Sequence, residues 1–192
     1  PTGRYRSHVK NFFIDYQNLL KKYYNGPNWT YTGWDSFHIH CSAYRYICKN
    51  WCEKQNEPID LVGHSRGGFI ALTLAWALKQ RGCCCNGKRY RPVPVRFLGM
   101  YDAVDMAFGY GFSERIPPNV QNAFHALSHP ALRSRWYFNR AHGGVADSNM
   151  TNYAEEFFWG THSAIGGDPW NGDHPPGAFE SLDRSEARNA DI

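Results

Sequence analysis

Apolar residues recur along the chain in two rhythms, one helical and one strand-like, and the alternation between them is the first structural signal. Ser7 is placed to cap a helix running to about Tyr24, because Val9, Phe12, Phe13, Tyr16, Leu19, Leu20 and Tyr23 recur at helical spacing. Asn25-Gly26-Pro27 would stop it. Ser36 is placed to cap a second helix to about Gln55, with a stripe of Phe37, Cys41, Tyr44, Cys48, Trp51 and Cys52. Beyond Pro58, Ile59 to Gly63 reads as a short buried strand. The run from Gly67 to about Gln80 is apolar nearly all round, which describes a central helix.

Gly82 ends that helix, and a basic connection containing Lys88-Arg89-Tyr90-Arg91 leads to Pro92. Val93 to Leu98 reads as a second buried strand, with Pro94 arguing against a central position. A short helix is expected over Asn119 to Leu127. Later strands are expected at Trp136-Tyr137-Phe138 and in the run from Glu155 to Trp159. From Pro175 onward the chain is polar. Helices alternating with short apolar strands predict a single α/β domain over residues 1–192, with a mostly parallel sheet flanked by helices.

Composition narrows the class. The chain has 192 residues, 42% of them hydrophobic and 16% aromatic, with only 20% charged. Such a chain can bury a real core, and it lacks the charge-rich, aromatic-poor profile of disorder. The apolar run Phe69 to Leu78 is about half a membrane span, so no transmembrane helix is expected. A net charge of +4 with both signs interspersed gives no basic stripe for nucleic acid. Six cysteines, three of them consecutive at Cys83, Cys84 and Cys85, read first as reduced thiols with some buried, with a disulfide or a structural metal site as the alternatives. No signal peptide is visible, and Pro1 implies sequence upstream, so the compartment stays open between cytoplasmic and exported.

The chemistry centres on Gly63-His64-Ser65-Arg66-Gly67, a G-x-S-x-G motif between an expected strand and an expected helix. A nucleophile elbow has that context: the turn lifts Ser65 Oγ above the sheet edge, and Gly63 and Gly67 avoid clashes between β-carbons. The Arg66 N–H, at the start of the helix, is the expected oxyanion donor. A serine nucleophile needs a base and a group that orients the base. Asp102 follows the second strand and is the candidate acid, whereas Asp105 reads as a helix cap. Among nine histidines, His162 follows the last expected strand and precedes Gly166-Gly167, making it the candidate base. His125 is the alternative, expected on a partly buried helix, and His129, His142 and His174 lie in loops.

Four segments, taken in order, resemble the α/β-hydrolase family that includes the type VI secretion phospholipase effectors. Gly63 to Gly68 is similar to its Gly-x-Ser-Arg-Gly-Ala elbow, and Leu98 to Val104 to its Gly-x-Trp-Asp-Thr-Val segment. Asn122 to Leu127 resembles its His-Ala-Leu helix, and Phe158 to Gly167 its Trp-Phe-x-Gly-x-His-Ser-x-Val-Gly-Gly segment. The resemblance implies an α/β-hydrolase-like fold and a serine hydrolase acting on esters or lipids, phospholipids included, through Ser65, Asp102 and His162, with no cofactor. Members begin with a strand ending in Asp-Gly-Thr, near a second oxyanion donor. No such segment precedes His8, and no closing apolar helix follows, which implies a reduced or truncated version. The alternative is a catalytically impaired binding module or a segment of a larger protein.

Weaker metal signals are His38 with His40, His125 with His129, and oxygen ligands for calcium between Gly167 and His174. The first pair splays apart, the second lacks a flanking acid, and the third reads as a solvated loop.

Overall fold

The computed structural model describes residues 7–26, 34–54, 57–105, 115–132, 139–141 and 144–167. In chain order the elements are α1 (His8–Asp15), α2 (Trp34–Glu53), β1 (Asp60–His64), α3 (Arg66–Gln80), β2 (Cys83–Cys85), β3 (Lys88–Tyr90) and β4 (Val95–Tyr101). They continue with β5 (Val104–Asp105), β6 (Val120–Ser128), a 3-10 turn (Pro130–Leu132), β7 (Asn139–Arg140), β8 (Asn152–Phe158) and α4 (His162–Ile165). The central sheet has four strands in the order β1-β4-β6-β8, every neighbouring pair parallel. Its α/β character follows, and no helix among the described residues is long and apolar enough to cross a membrane.

The core lies where α3 packs on the sheet. Every residue from Gly68 to Leu78 is buried, as an all-round apolar helix requires. Leu98, Val95 and Val120 meet it from the strands. Pro94 does not interrupt the sheet, because β4 begins one residue later.

Several elements differ from the sequence reading. Ser7 caps α1 as expected, its hydroxyl accepting from the Lys10 N–H, but the helix stops at Asp15 rather than near Tyr24. Tyr16 turns to an extended conformation, and its hydroxyl donates to Asp60 at 2.5 Å, which draws the chain across the start of β1. Ser36 lies inside α2 and is buried rather than capping it. The expected helix over Asn119 to Leu127 is the strand β6, held between β4 and β8 by both ladders. Asp105 belongs to β5, paired with β7, and the residues after it that a helix would need, 106–114, lie outside the described residues. The segment Trp136 to Phe138 lies outside the described residues.

The connection after Gly82 is an antiparallel hairpin, β2–β3, turned at Asn86 and Gly87 with φ of 49° and 78°. Positive φ at both positions is the type I′ requirement that Asn-Gly meets. The hairpin also overturns the expectation of reduced thiols. Cys48 is bonded to Cys83, and Cys52 to Cys85. Residues i and i+4 share a face of α2, while i and i+2 share a face of β2, so two bridges join the same pair of elements side by side. Cys84 points the other way and is an exposed free thiol, and Cys41 is also free.

Candidate active site

The parallel strands deliver their carboxyl ends to one edge of the sheet, and the chemistry-bearing residues collect there. Ser65 sits between β1 and α3 with φ 57° and ψ −129°, a conformation that costs a non-glycine residue about 1–3 kcal/mol. Four backbone bonds hold it. Its N–H donates to the Tyr101 carbonyl at 2.9 Å, and its own carbonyl accepts from Gly68, Phe69 and Val104. The hydroxyl makes no capping bond to α3.

Two glycines make the bend passable, and one of them differs from the expected pair. A β-carbon at Gly63 would meet the Gly67 carbonyl and stand 2.6 Å from the Gly68 nitrogen. At Gly68 it would stand 2.8 Å from the Ala103 β-carbon. At Gly67 it would have open space, so clearance at the elbow depends on Gly63 and Gly68 rather than on Gly63 and Gly67. Arg66 is the first residue of α3, which puts its N–H at the helix N-terminus beside Ser65. Its side chain has a lowered pKa through burial, with Asp35 opposing the shift.

Asp102 lies one residue past β4 at φ 41° and is buried. Its N–H donates to the Ala126 carbonyl at 2.7 Å, which ties the turn to the neighbouring strand. Oδ1 accepts from the Ser128 N–H at 3.2 Å, and Oδ2 stands 2.7 Å from His162 Nδ1. His162 opens α4, which Thr161 caps through its hydroxyl, and is 2% exposed. With Asp102 ionised, that contact assigns the proton to Nδ1, so the neutral ring presents its lone pair at Nε2. The arrangement can orient an imidazole and stabilise it as a cation.

His64, the residue before Ser65 in the chain, packs against His162. The His64 and His162 rings lie 4.8 Å apart, tilted by 36°, and His64 Nε2 donates to the His162 carbonyl at 3.0 Å. Gly166 permits that approach, since a β-carbon there would stand 2.6 Å from His64 Nδ1. Nε2 of the His162 ring is buried, and a serine–imidazole hydrogen bond is often long in an unliganded site and tightens when substrate binds. The sequence reading passed over His64; its position directly before the motif serine was the available signal.

His125 takes a different part. It lies on the strand β6, not on a helix, is 1% exposed, and its Nε2 accepts from the Ala103 N–H at 3.1 Å. It braces the turn beyond Asp102. His125 lies on β6 and His129 follows its last residue, so four steps of extended chain put them roughly 13 Å apart, too far for paired metal ligands. His129 instead stacks on Trp159 at 3.9 Å. His38 and His40 lie on α2; burial lowers the His40 pKa. Among the described residues no group of three or more His, Cys, Asp or Glu could hold a metal. His142, His174 and the loop from Asp168 to His174 lie outside the described residues. The basic run Lys88 to Arg91 begins on β3, where Lys88 sits over the Tyr90 ring.

No protein-family model, no curated protein and no solved structure matches this chain.

Proposed function

We propose that this protein is a serine hydrolase of carboxylic esters on a reduced α/β-hydrolase-like fold. The observation that carries the reading is a serine held at φ 57° on a strand-to-helix turn, at the same sheet edge as a buried His162–Asp102 pair 2.7 Å apart. Strained backbone at a non-glycine residue clusters at active sites, and a strand-to-helix turn is where a nucleophilic serine is presented.

In the reaction, Ser65 Oγ attacks the ester carbonyl carbon as its proton passes to His162 Nε2. Asp102 stabilises the imidazolium and keeps its Nδ1 proton in place. The Arg66 N–H, with the positive end of α3 behind it, receives the oxyanion charge. Collapse breaks the bond to the alcohol, which leaves with the Nε2 proton. Water then attacks the acyl-enzyme, giving a proton to Nε2, and the acid departs as Ser65 recovers its hydrogen. His125 is not the base in this scheme, because its Nε2 is already bonded to the Ala103 N–H.

A second reading is a hydrolase-fold module without turnover, and the burial of His162, 2% exposed, favours it. Fluorophosphonate labelling separates the two. Stoichiometric labelling, abolished by Ser65→Ala, supports the enzyme. A folded chain that never labels and turns over no ester refutes it.

A further inference from the structure

Beside the elbow a cavity of about 340 Å³ runs along β1, between the sheet, α2, α3 and the segment from Ser7 to Gly26. Protein interiors leave few voids larger than a water, so an opening of ligand size is a feature to be explained. Its upper end is formed by His64 and Gly67, which flank Ser65 and Arg66 in the chain. Because α3 runs back along the sheet from the elbow, Leu74 and Ile59 mark the far end of the same space. Ala43 and Ile47 of α2 give the side wall.

α1 gives Val9, Phe12 and Phe13 to the lining, and none of its residues is buried. It is fixed at both ends. The His8 N–H donates to the Gly166 carbonyl at 3.0 Å beside α4, and Tyr16 bonds Asp60 at the start of β1. Phe12 and Tyr24 turn further aromatic surface toward the space. The result is a largely apolar cavity that reaches the elbow at His64 and Gly67, the chain neighbours of Ser65 and Arg66, and meets polar groups of Asn50, Glu57 and Asp60 toward the start of β1.

Resting on the ester-hydrolase reading, we propose that this cavity binds the acyl part of the substrate as a single straight aliphatic chain. The carbonyl end lies at Ser65 and the methyl end near Leu74 and Ile59. A volume of about 340 Å³ lies at the lower end of the small-ligand range, so the preferred chain is of medium length rather than an acetyl group or a long fatty acyl chain. Gly67 suits the mouth, since its missing side chain leaves open space where the chain would enter.

The test compares p-nitrophenyl esters from acetate through octanoate to hexadecanoate. Burial of each added methylene raises kcat/KM by about two- to fourfold until the cavity is full, and the rise then reverses. Ala43→Phe fills the side wall and lowers the octanoate-to-acetate ratio by about tenfold or more; Ala71→Leu, on the α3 wall, serves if that variant does not fold. Binding is read separately on Ser65→Ala, where decanoate displaces 1-anilinonaphthalene-8-sulfonate and acetate does not, and Ala43→Phe removes the displacement. A flat length profile with no decanoate displacement, while acetate ester is still cleaved, overturns the acyl site and leaves the hydrolase standing. Displacement by decanoate in a protein that cleaves no ester overturns the hydrolase reading instead and leaves an alkyl-chain site.

Discussion

Replacing Gly63 with alanine drives a methyl group into the backbone of the next turn. The new carbon would meet the Gly67 carbonyl and come within 2.6 Å of the Gly68 nitrogen. Both are main-chain atoms, so no side-chain rotation can relieve the overlap, and β1 must separate from α3. Overpacking a tight interior costs about 1–3 kcal/mol, and a backbone clash belongs at the upper end of that range. At this chain length about 3 kcal/mol lowers Tm by roughly 6–12 °C. Gly67→Ala is the control two positions past Ser65, with nothing within 4 Å of its new carbon. It removes a helix-weakening glycine from α3, so it should leave stability unchanged or raise it by up to about 1 kcal/mol. Thermal and urea melts measure both variants, with fluorophosphonate labelling rates alongside. Gly63→Ala should lose labelling together with stability, because opening the bend releases Ser65 from φ 57°. A Gly63→Ala protein that melts with the wild type and labels at its rate would refute the account of the elbow.

Three further perturbations probe other parts of the molecule. Asp102→Asn keeps an oxygen for the Ser128 N–H but cannot hold a charged His162, so ester turnover should fall by about 10⁴-fold with little change in Tm; a loss under tenfold would remove Asp102 from the catalytic group. Reduction of the disulfides releases a constraint across 35 residues, worth about 4 kcal/mol for the first bridge and less for the second, which closes nearly the same loop. Tm should drop by at least about 8–16 °C in reductant, and an unchanged melt would mean that the thiols are not paired. Burial, and then its bond to Asp60, pushes the Tyr16 phenol up to about 12. Its folded pKa is raised, so its stabilisation is complete below about pH 10, where the unfolded phenol ionises, and is lost as pH climbs through about 12. Tyr16→Phe should remove that share of the alkaline destabilisation, seen by urea melts at pH 9 and 11.5; an identical pH dependence in both proteins would sink the assignment.

The positions of α3 and of the elbow were legible because their signals are local. An apolar run bounded by Gly67 and Gly82 describes a buried helix, and a glycine on each side of His64-Ser65-Arg66 describes a bend. β6 was not legible, and the reason is physical. Ala123, His125, Ala126 and Leu127 suit a helix well enough in isolation, and only pairing on both sides with β4 and β8 makes the segment a strand. The disulfides were hidden for a related reason. Whether Cys48 and Cys52 reach Cys83 and Cys85 depends on a hairpin packing against α2, a contact that no local pattern announces. The hairpin itself left a readable mark in Asn86-Gly87, which the surrounding lysine and arginine residues obscured. In α1 the helical periodicity ran on to Tyr23, but residues past Asp15 gain more from bonds to β1 than from another helical turn.

Parallelism explains why three residues far apart in sequence meet at one edge. Each strand of the sheet runs the same way, so the turns after β1, β4 and β8 all open on the same side. Ser65 and Asp102 follow adjacent strands and need no further device. His162 follows β8, which is separated from β4 by β6, and must cross that strand to reach Asp102. The Thr161-capped turn of α4 lies against β6 and carries the ring inward, while the end of β6 gives its Ser128 N–H to the other carboxylate oxygen. The strand in between is therefore part of the acid's environment rather than a spacer. Displacing β6 would separate Asp102 from both its imidazole and its backbone donor at once. The misread segment is thus the one on which the geometry of the Asp102–His162 pair depends most directly.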